Sequence, residues 1–306
     1  MSRVLHLHNG SSEKKPIPGL MIGRFGIQYI KLNTSKKPKV FDEISFANGL
    51  DTKEVKEGLG ILIKKNKIKK VNLVIPEFEV STFFVTIYIE KNQKQREVIL
   101  DYIQKNTQMD PKDIVFDYDV ISYDNGVLIA SVLVVSKERY KWYISILQSF
   151  KVTPIRFISE NKALAKSLVR DKNNEPHAIV NILPQYLTLS IAGDGVIYKT
   201  EVLDECFDNA NIKRLNKKIN TFILEWYSQI GRVVHDRTHH IVVNTYDEGF
   251  TKELISSLRN TLRHINTRKG SGWDNCFSVD EYIPEIHKKD LYRYTPVIGG
   301  VLFGIK

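Results

Sequence analysis

The chain has 306 residues, 42% of them hydrophobic and 26% charged, which excludes global disorder and suits two lobes of the usual ~100–200 residues, each able to bury its own core. Lys and Arg outnumber Asp and Glu by 45 to 35, a net charge of +10, and such a field either favours anionic surfaces (nucleic acid, acidic headgroups, an acidic protein) or only keeps the chain soluble. Two cysteines, Cys206 and Cys276, exclude a disulfide scaffold, no stretch approaches the ~18 apolar residues of a membrane span, and the polar leader 1–18 lacks the apolar core of a signal peptide.

The spacing predicts a strand–turn–strand hairpin over 19–32 (GLMIGRFGIQYIKL), broken by Gly23 and Gly26, with 39–46 continuing the sheet. Thr52 is placed to N-cap a helix on which Val55, Leu59 and Leu62 share a face. That helix runs into the basic turn KKNKIKK (64–70), and 71–75 is a short buried strand closed by Pro76. A different unit follows: a strand over 80–89, an amphipathic helix over 93–106, two strands over 114–122 and 127–135 joined by a turn at 123–126, then a helix over 137–150. Within the first of those two strands, Phe116, Tyr118 and Val120 point one way and Asp117 and Asp119 the other. A strand over 153–158 and a helix over 161–169 lead to a polar linker, 171–176. Beyond it come three strands (178–182, 187–192, 196–200), a long helix over 212–233, a strand over 240–244, a helix over 250–262 and a small-residue segment over 297–304.

Six segments in this order resemble the PilM-like family of type IV pilus proteins, relatives of FtsA within the actin-like ATPases. GLMIG and IKL (19–23, 30–32) resemble the family's opening hairpin, and VNLVIP (71–76) its strand before an inserted domain. DYDVI (117–121) and 134–137 with VTP (152–154) resemble segments in and after that insert. AIVNILPQYLTLSI (178–191) resembles the start of the second lobe, and 295–304 the terminal helix. The resemblance implies an α/β, actin-like (ribonuclease H-like) fold of two lobes with a strand-helix-strand-strand insert in the first. It divides the chain into a first lobe (19–76 and 154–174, closed by 291–306), an insert (77–153) and a second lobe (175–290) with a shortened helical subdomain (201–236).

Actin-like ATPases use an aspartate in each lobe's first hairpin to orient Mg²⁺ and the attacking water. Here the matching positions are Met21 and Asn181, and Leu183 replaces a glycine beside the second. Thr245-Tyr246-Asp247-Glu248-Gly249 stands where the adenosine-side glycine pair is expected. Gly23, Arg24, Phe25, Asn181 and Gln185 are what is left of a nucleotide site. The implied reading is a cytoplasmic scaffold without catalytic residues or an obligate cofactor, recruited to the inner membrane by the cytosolic N-terminal tail of a PilN-like protein. The related GspL cytoplasmic domain of type II secretion is the sister possibility. An active or ATP·Mg-binding ATPase of the same assembly is the alternative. The family's tail groove lies between the first lobe and the insert, and its candidates here are Phe83, Phe84, Ile87, Tyr88, Ile99 and Tyr102. Each reads equally as core of the insert.

Basic runs at 64–70 and 213–218 suit an anionic membrane surface or a solvated helix end, and self-association stays open. His235, His239, His240 and His264 lack metal-ligand spacing, and Asp117 with Asp119 reads as a polar sheet face. Arg268-Lys269-Gly270-Ser271-Gly272 reads as a surface loop. No basic strand face interleaved with aromatics points to nucleic acid.

Overall fold

The computed structural model describes residues 16–24, 26–46, 52–169, 175–183, 186–193, 195–205, 207–228, 240–245, 247–277 and 288–303. The chain divides into two units. The first comprises Met1–Pro76, Ile144–Leu168 and Ser271–Lys306, and the second Glu77–Tyr143 and Val169–Gly270.

In the first unit, β1 (Gly19–Gly23), β2 (Gly26–Leu32) and β3 (Pro38–Ser45) form an antiparallel run, and β4 (Lys70–Ile75) and β8 (Thr153–Ser159) add in parallel. The order is β3-β2-β1-β4-β8. In the second unit, β9 (His177–Ile182), β10 (Leu187–Gly193), β11 (Val196–Leu203), β12 (His240–Thr245) and β13 (Asn266–Lys269) take the order β11-β10-β9-β12-β13. Each sheet therefore repeats one pattern: three antiparallel strands, with two parallel strands added beside the first. The parallel strands β4 and β9 read as continuous buried runs, as strands covered on both faces do.

Helix α1 (Thr52–Asn66) buries Val55, Leu59 and Leu62, the stripe expected from its period. Thr52, expected as its N-cap, is the first residue of the helix. Helix α3 (Lys137–Ser149) begins in the second unit and ends in the first. Past the ends of α1 and α3, Lys67 (φ 52°) and Lys151 (φ 59°) adopt the left-handed region usual for glycine. Each carries about 1 kcal/mol of backbone penalty for its Cβ.

The first unit closes where α4 (Glu160–Leu168) meets α8 (Thr295–Leu302). A Cβ on Gly299 would sit 1.8 Å from the Ala163 carbonyl oxygen, so only glycine permits this approach. Asn72, fully buried in β4, donates from Nδ2 to the Gly300 and Phe303 carbonyls at 3.0 and 3.1 Å. It thereby satisfies carbonyls that the end of α8 leaves open. Short α7 (Gly272–Cys276) packs beside them, N-capped by Ser271.

The second unit's core lies under α5 (Ile212–Trp226) and α6 (Glu248–Thr261), with Trp226, Phe222 and Leu254 against Val180, Leu189 and Val243. The same unit holds the residues of the insert: β5 (Val80–Tyr88), α2 (Gln95–Asn106), β6 (Ile114–Asp124) and β7 (Val127–Ser136), in sheet order β5-β7-β6. Asn125 and Gly126, at φ 47° and 80°, make a two-residue turn, tighter than the four-residue one read from the sequence.

Two readings are corrected. The segment taken as a loop at 268–272 is the end of β13, paired parallel to β12, followed by the capped start of α7. In β6 the face alternation runs as expected to Val120, yet Val120 is 44% exposed and a bulge follows before Ser122. The polar linker 171–176 and the helix beyond 228 fall largely outside the described residues.

Gly299→Ala forces α4 and α8 apart. We expect it to destabilise the first unit by about 3 kcal/mol and to lower its melting temperature in a calorimetric scan, while Gly195→Ala, where a Cβ meets open space, shows only the smaller effect of its positive φ.

Candidate functional site

The nucleotide positions expected in the first unit come out apolar. Met21 is 6% exposed and packs with Ile30, Val74, Ile158 and Ile298. Gly23 ends β1 half-buried, a Cβ there meets only ordinary contacts, and Arg24 beyond it is exposed. Phe25 lies outside the described residues, as do Gln185 and Tyr246.

In the second unit Asn181 is fully buried on β9 and accepts a hydrogen bond from Asn244 Nδ2 at 2.8 Å. The two residues face each other in the parallel register of β9 and β12, so a pair of neutral amides stands at the position expected to carry a carboxylate. Asn244 is the residue sequence reasoning missed. Its signal was the repeated apolar-apolar-Asn of IVN (179–181) and VVN (242–244). Leu183 N–H donates to the Tyr186 carbonyl at 2.9 Å, closing the β9–β10 turn. Past β12, Asp247 N-caps α6 through Phe250 N at 2.8 Å, and Thr251 Oγ1 donates to the Asp247 carbonyl. That carboxylate is engaged in a helix start.

The insert presents an open cleft of about 410 Å³ between the end of β5 and the outer face of α2. Ile87, Tyr88 and Tyr102 line it, with the carboxylates of Glu90, Glu97 and Asp101 at its rim. Lys94 bridges Glu97 at 3.2 Å and Lys105 bridges Asp101 at 2.7 Å. Tyr88 is 67% exposed and lies over the hairpin tip, where a Cβ on Gly126 would meet its ring at 2.9 Å. The other candidates sit elsewhere. Ile99 is fully buried in the insert's core and Phe83 packs against that core, while Phe84 packs against the core under α5 and α6. Among the described residues β5 pairs with β7 alone, and β11 packs close to it without pairing.

The two ends of the insert are tied together. Glu79, in the turn entering it, accepts from Arg139 Nη2 and from Tyr143 Oη, both at 2.5 Å and both on the exit helix α3. Burial and then the neighbouring carboxylate hold the Tyr143 phenol well above its ordinary pKa. Burial opposes the charge of Arg139, but the bond to Glu79 outweighs it and the guanidinium is held above its ordinary value. Arg139 also stacks over the Trp142 ring at 3.8 Å.

His177 and His240 stack at 4.7 Å, with Glu175 beside both. His264 is exposed, and His235, His239 and Cys206 lie outside the described residues. Cys276 donates weakly to the Ser167 carbonyl at 3.6 Å. Among the described residues no three His, Cys, Asp or Glu side chains converge as metal ligands, and no helix is long and apolar enough to cross a membrane.

Glu79→Gln leaves a partly buried guanidinium without its counter-charge and is expected to lower stability by about 2–3 kcal/mol in urea titration. In the parent chain the folded Tyr143 keeps its proton at a pH where the unfolded phenol loses it. Stability is therefore level below about pH 10 and falls above it, which midpoints measured from pH 8 upward check.

No family model matches the chain, and no curated protein does. Solved structures do. A PilM-PilN type IV pilus biogenesis complex matches at a TM-score of 0.70 and 14% identity, over 96% of this chain and 99% of that one. The cytoplasmic domain of EpsL, an inner-membrane component of the Vibrio cholerae type II secretion system, matches at 0.51 and 10%, over 76% and 82%. A Bacteroides thetaiotaomicron protein described as having an actin-like ATPase fold matches at 0.46 and 13%, over 89% and 96%. With its twice-repeated strand order and near-complete overlap with the first of these, the chain has the actin-like fold, similar to that of PilM.

Proposed function

We propose that the chain is a cytoplasmic adaptor of a type IV pilus or related secretion assembly. It binds the cytosolic N-terminal tail of a PilN-like inner-membrane partner and has lost ATP hydrolysis. The observation that carries this reading is the end-to-end match to the PilM-PilN structure, which spans nearly all of both chains.

Tail binding is supported by the insert's cleft. Its aromatic walls offer apolar anchors to a tail, and Glu90 at its rim suits a cationic residue there. Loss of hydrolysis is supported by the residues at the two expected aspartates. Met21 is part of a hydrophobic core, and the Asn181 amide is neutral and already bonded to Asn244. Mg²⁺ wants hard, charged oxygen ligands in near-octahedral geometry, and these residues do not fit it.

A synthetic peptide of the PilN-like partner's cytosolic tail is expected to bind, and Tyr88→Ala with Tyr102→Ala to weaken it about thirtyfold or more in calorimetry. Tyr88→Ala alone leaves the melting temperature close to that of the parent because Tyr88 is largely exposed, whereas Tyr102 also packs on the insert's core, so the single variant separates lost binding from lost packing. Millimolar Mg·ATP is expected to leave the melting temperature unchanged and to release no phosphate. Turnover would return the chain to the active ATPases. A shift of several degrees without turnover would make nucleotide a structural ligand.

A further inference from the structure

We propose that the cleft where α1 and α3 end is a docking surface for an anionic lipid leaflet. It has a volume of about 570 Å³, and Lys64, Lys67, Lys69, Lys70 and Lys151 line it with no carboxylate among them. Its floor is apolar: Ile63, Ile68 and Phe150. Phe150 seats against α1 because Gly60 leaves room for its ring, 3.3 Å from where a Cβ would stand. The cleft belongs wholly to the first unit and is distinct from the cleft on the insert.

Local structure does not account for Lys67, Lys69 and Lys151. Helix C-termini favour a cation in the last turn, which covers Lys64. Lys67 and Lys151 occupy left-handed positions where glycine is the less strained residue. Lys69 and Lys70 lie beyond the helix, at and just before the start of β4. Among the described residues, Asp42 beside the end of α1 already takes both Lys65 at 2.9 Å and Asn66 at 3.0 Å.

The kind of anion follows from the donors. A single bound phosphate calls for fixed backbone N–H groups or an arginine fork, and two helix C-termini present carbonyls instead. Flexible ammonium groups around an apolar floor suit a mobile layer of charged headgroups. Ile61, one turn before Lys64 and 61% exposed, places an aliphatic side chain beside this rim. That suits the boundary between headgroups and acyl chains better than an acidic polypeptide.

The test is co-sedimentation of the whole chain, without any partner, with vesicles of about 30 mol% phosphatidylglycerol in phosphatidylcholine at about 50 mM salt. Binding is expected, with loss at about 500 mM salt and none to phosphatidylcholine alone. The variant K64Q/K67G/K69Q/K151G removes charge while giving both left-handed positions their preferred residue, so its melting temperature holds. Each lysine is worth about fivefold in partitioning, and the variant is expected to bind at least about tenfold more weakly than a control with the same charge removed at exposed lysines outside both basic runs, K91Q/K112Q/K141Q/K166Q. Equal loss in the two variants overturns the site in favour of net charge, and no binding at low salt overturns the leaflet. Should labelled polyglutamate bind while vesicles do not, and the first variant lose it, the occupant is an acidic protein instead. None of these readouts involves the pilus partner, so the adaptor reading stands or falls separately.

Discussion

The first unit hangs on one backbone-to-backbone approach. Gly299 presses against the Ala163 carbonyl, bringing α8, from the end of the chain, onto α4, from its middle. No side chain fits between them, so the contact is set by main-chain van der Waals packing and tolerates no adjustment of volume. Asn72 then fixes the axial position of α8 by holding its terminal carbonyls from within strand β4. The sheet order, the burial of Met21 and the packing of Trp273 all presuppose that this helix has returned.

The chemistry of the second unit turns on charge more than on shape. An asparagine matches an aspartate in size and in hydrogen-bonding reach, and the β9–β12 register lets Asn181 and Asn244 satisfy each other inside a parallel sheet. A carboxylate at the same depth requires a cation or an arrangement of donors to offset its desolvation. The amide pair removes that requirement, so the sheet is stable as it stands.

Much of this was legible in the sequence because it depends on local signals. Apolar runs bounded by Gly, Pro and Asn-Gly turns located nearly every strand, and the stripes of α1 and α5 followed from their period. The order of those elements was enough to point to the actin-like fold. What escaped notice depends on long-range pairing. NTRK (266–269) has no strand alternation and becomes β13 only because β12 offers it a parallel edge. Asn244 looked like the end of an apolar strand until its register partner was known. Of the apolar candidates on the insert, periodicity could not separate Tyr88 and Tyr102, which reach the cleft, from Ile99 and Phe84, which fill cores.

The bond from Glu79 to Arg139 and Tyr143 has a consequence for how this chain can diverge. Because the entry and exit of the insert are clamped to each other, the entropy of closing that loop is settled at its base. The α2 segment between β5 and β6 can therefore change in length and sequence without loosening that base, whereas β5 and β6, whose Phe84 and Ile121 pack on the core under α5 and α6, answer to that core as well.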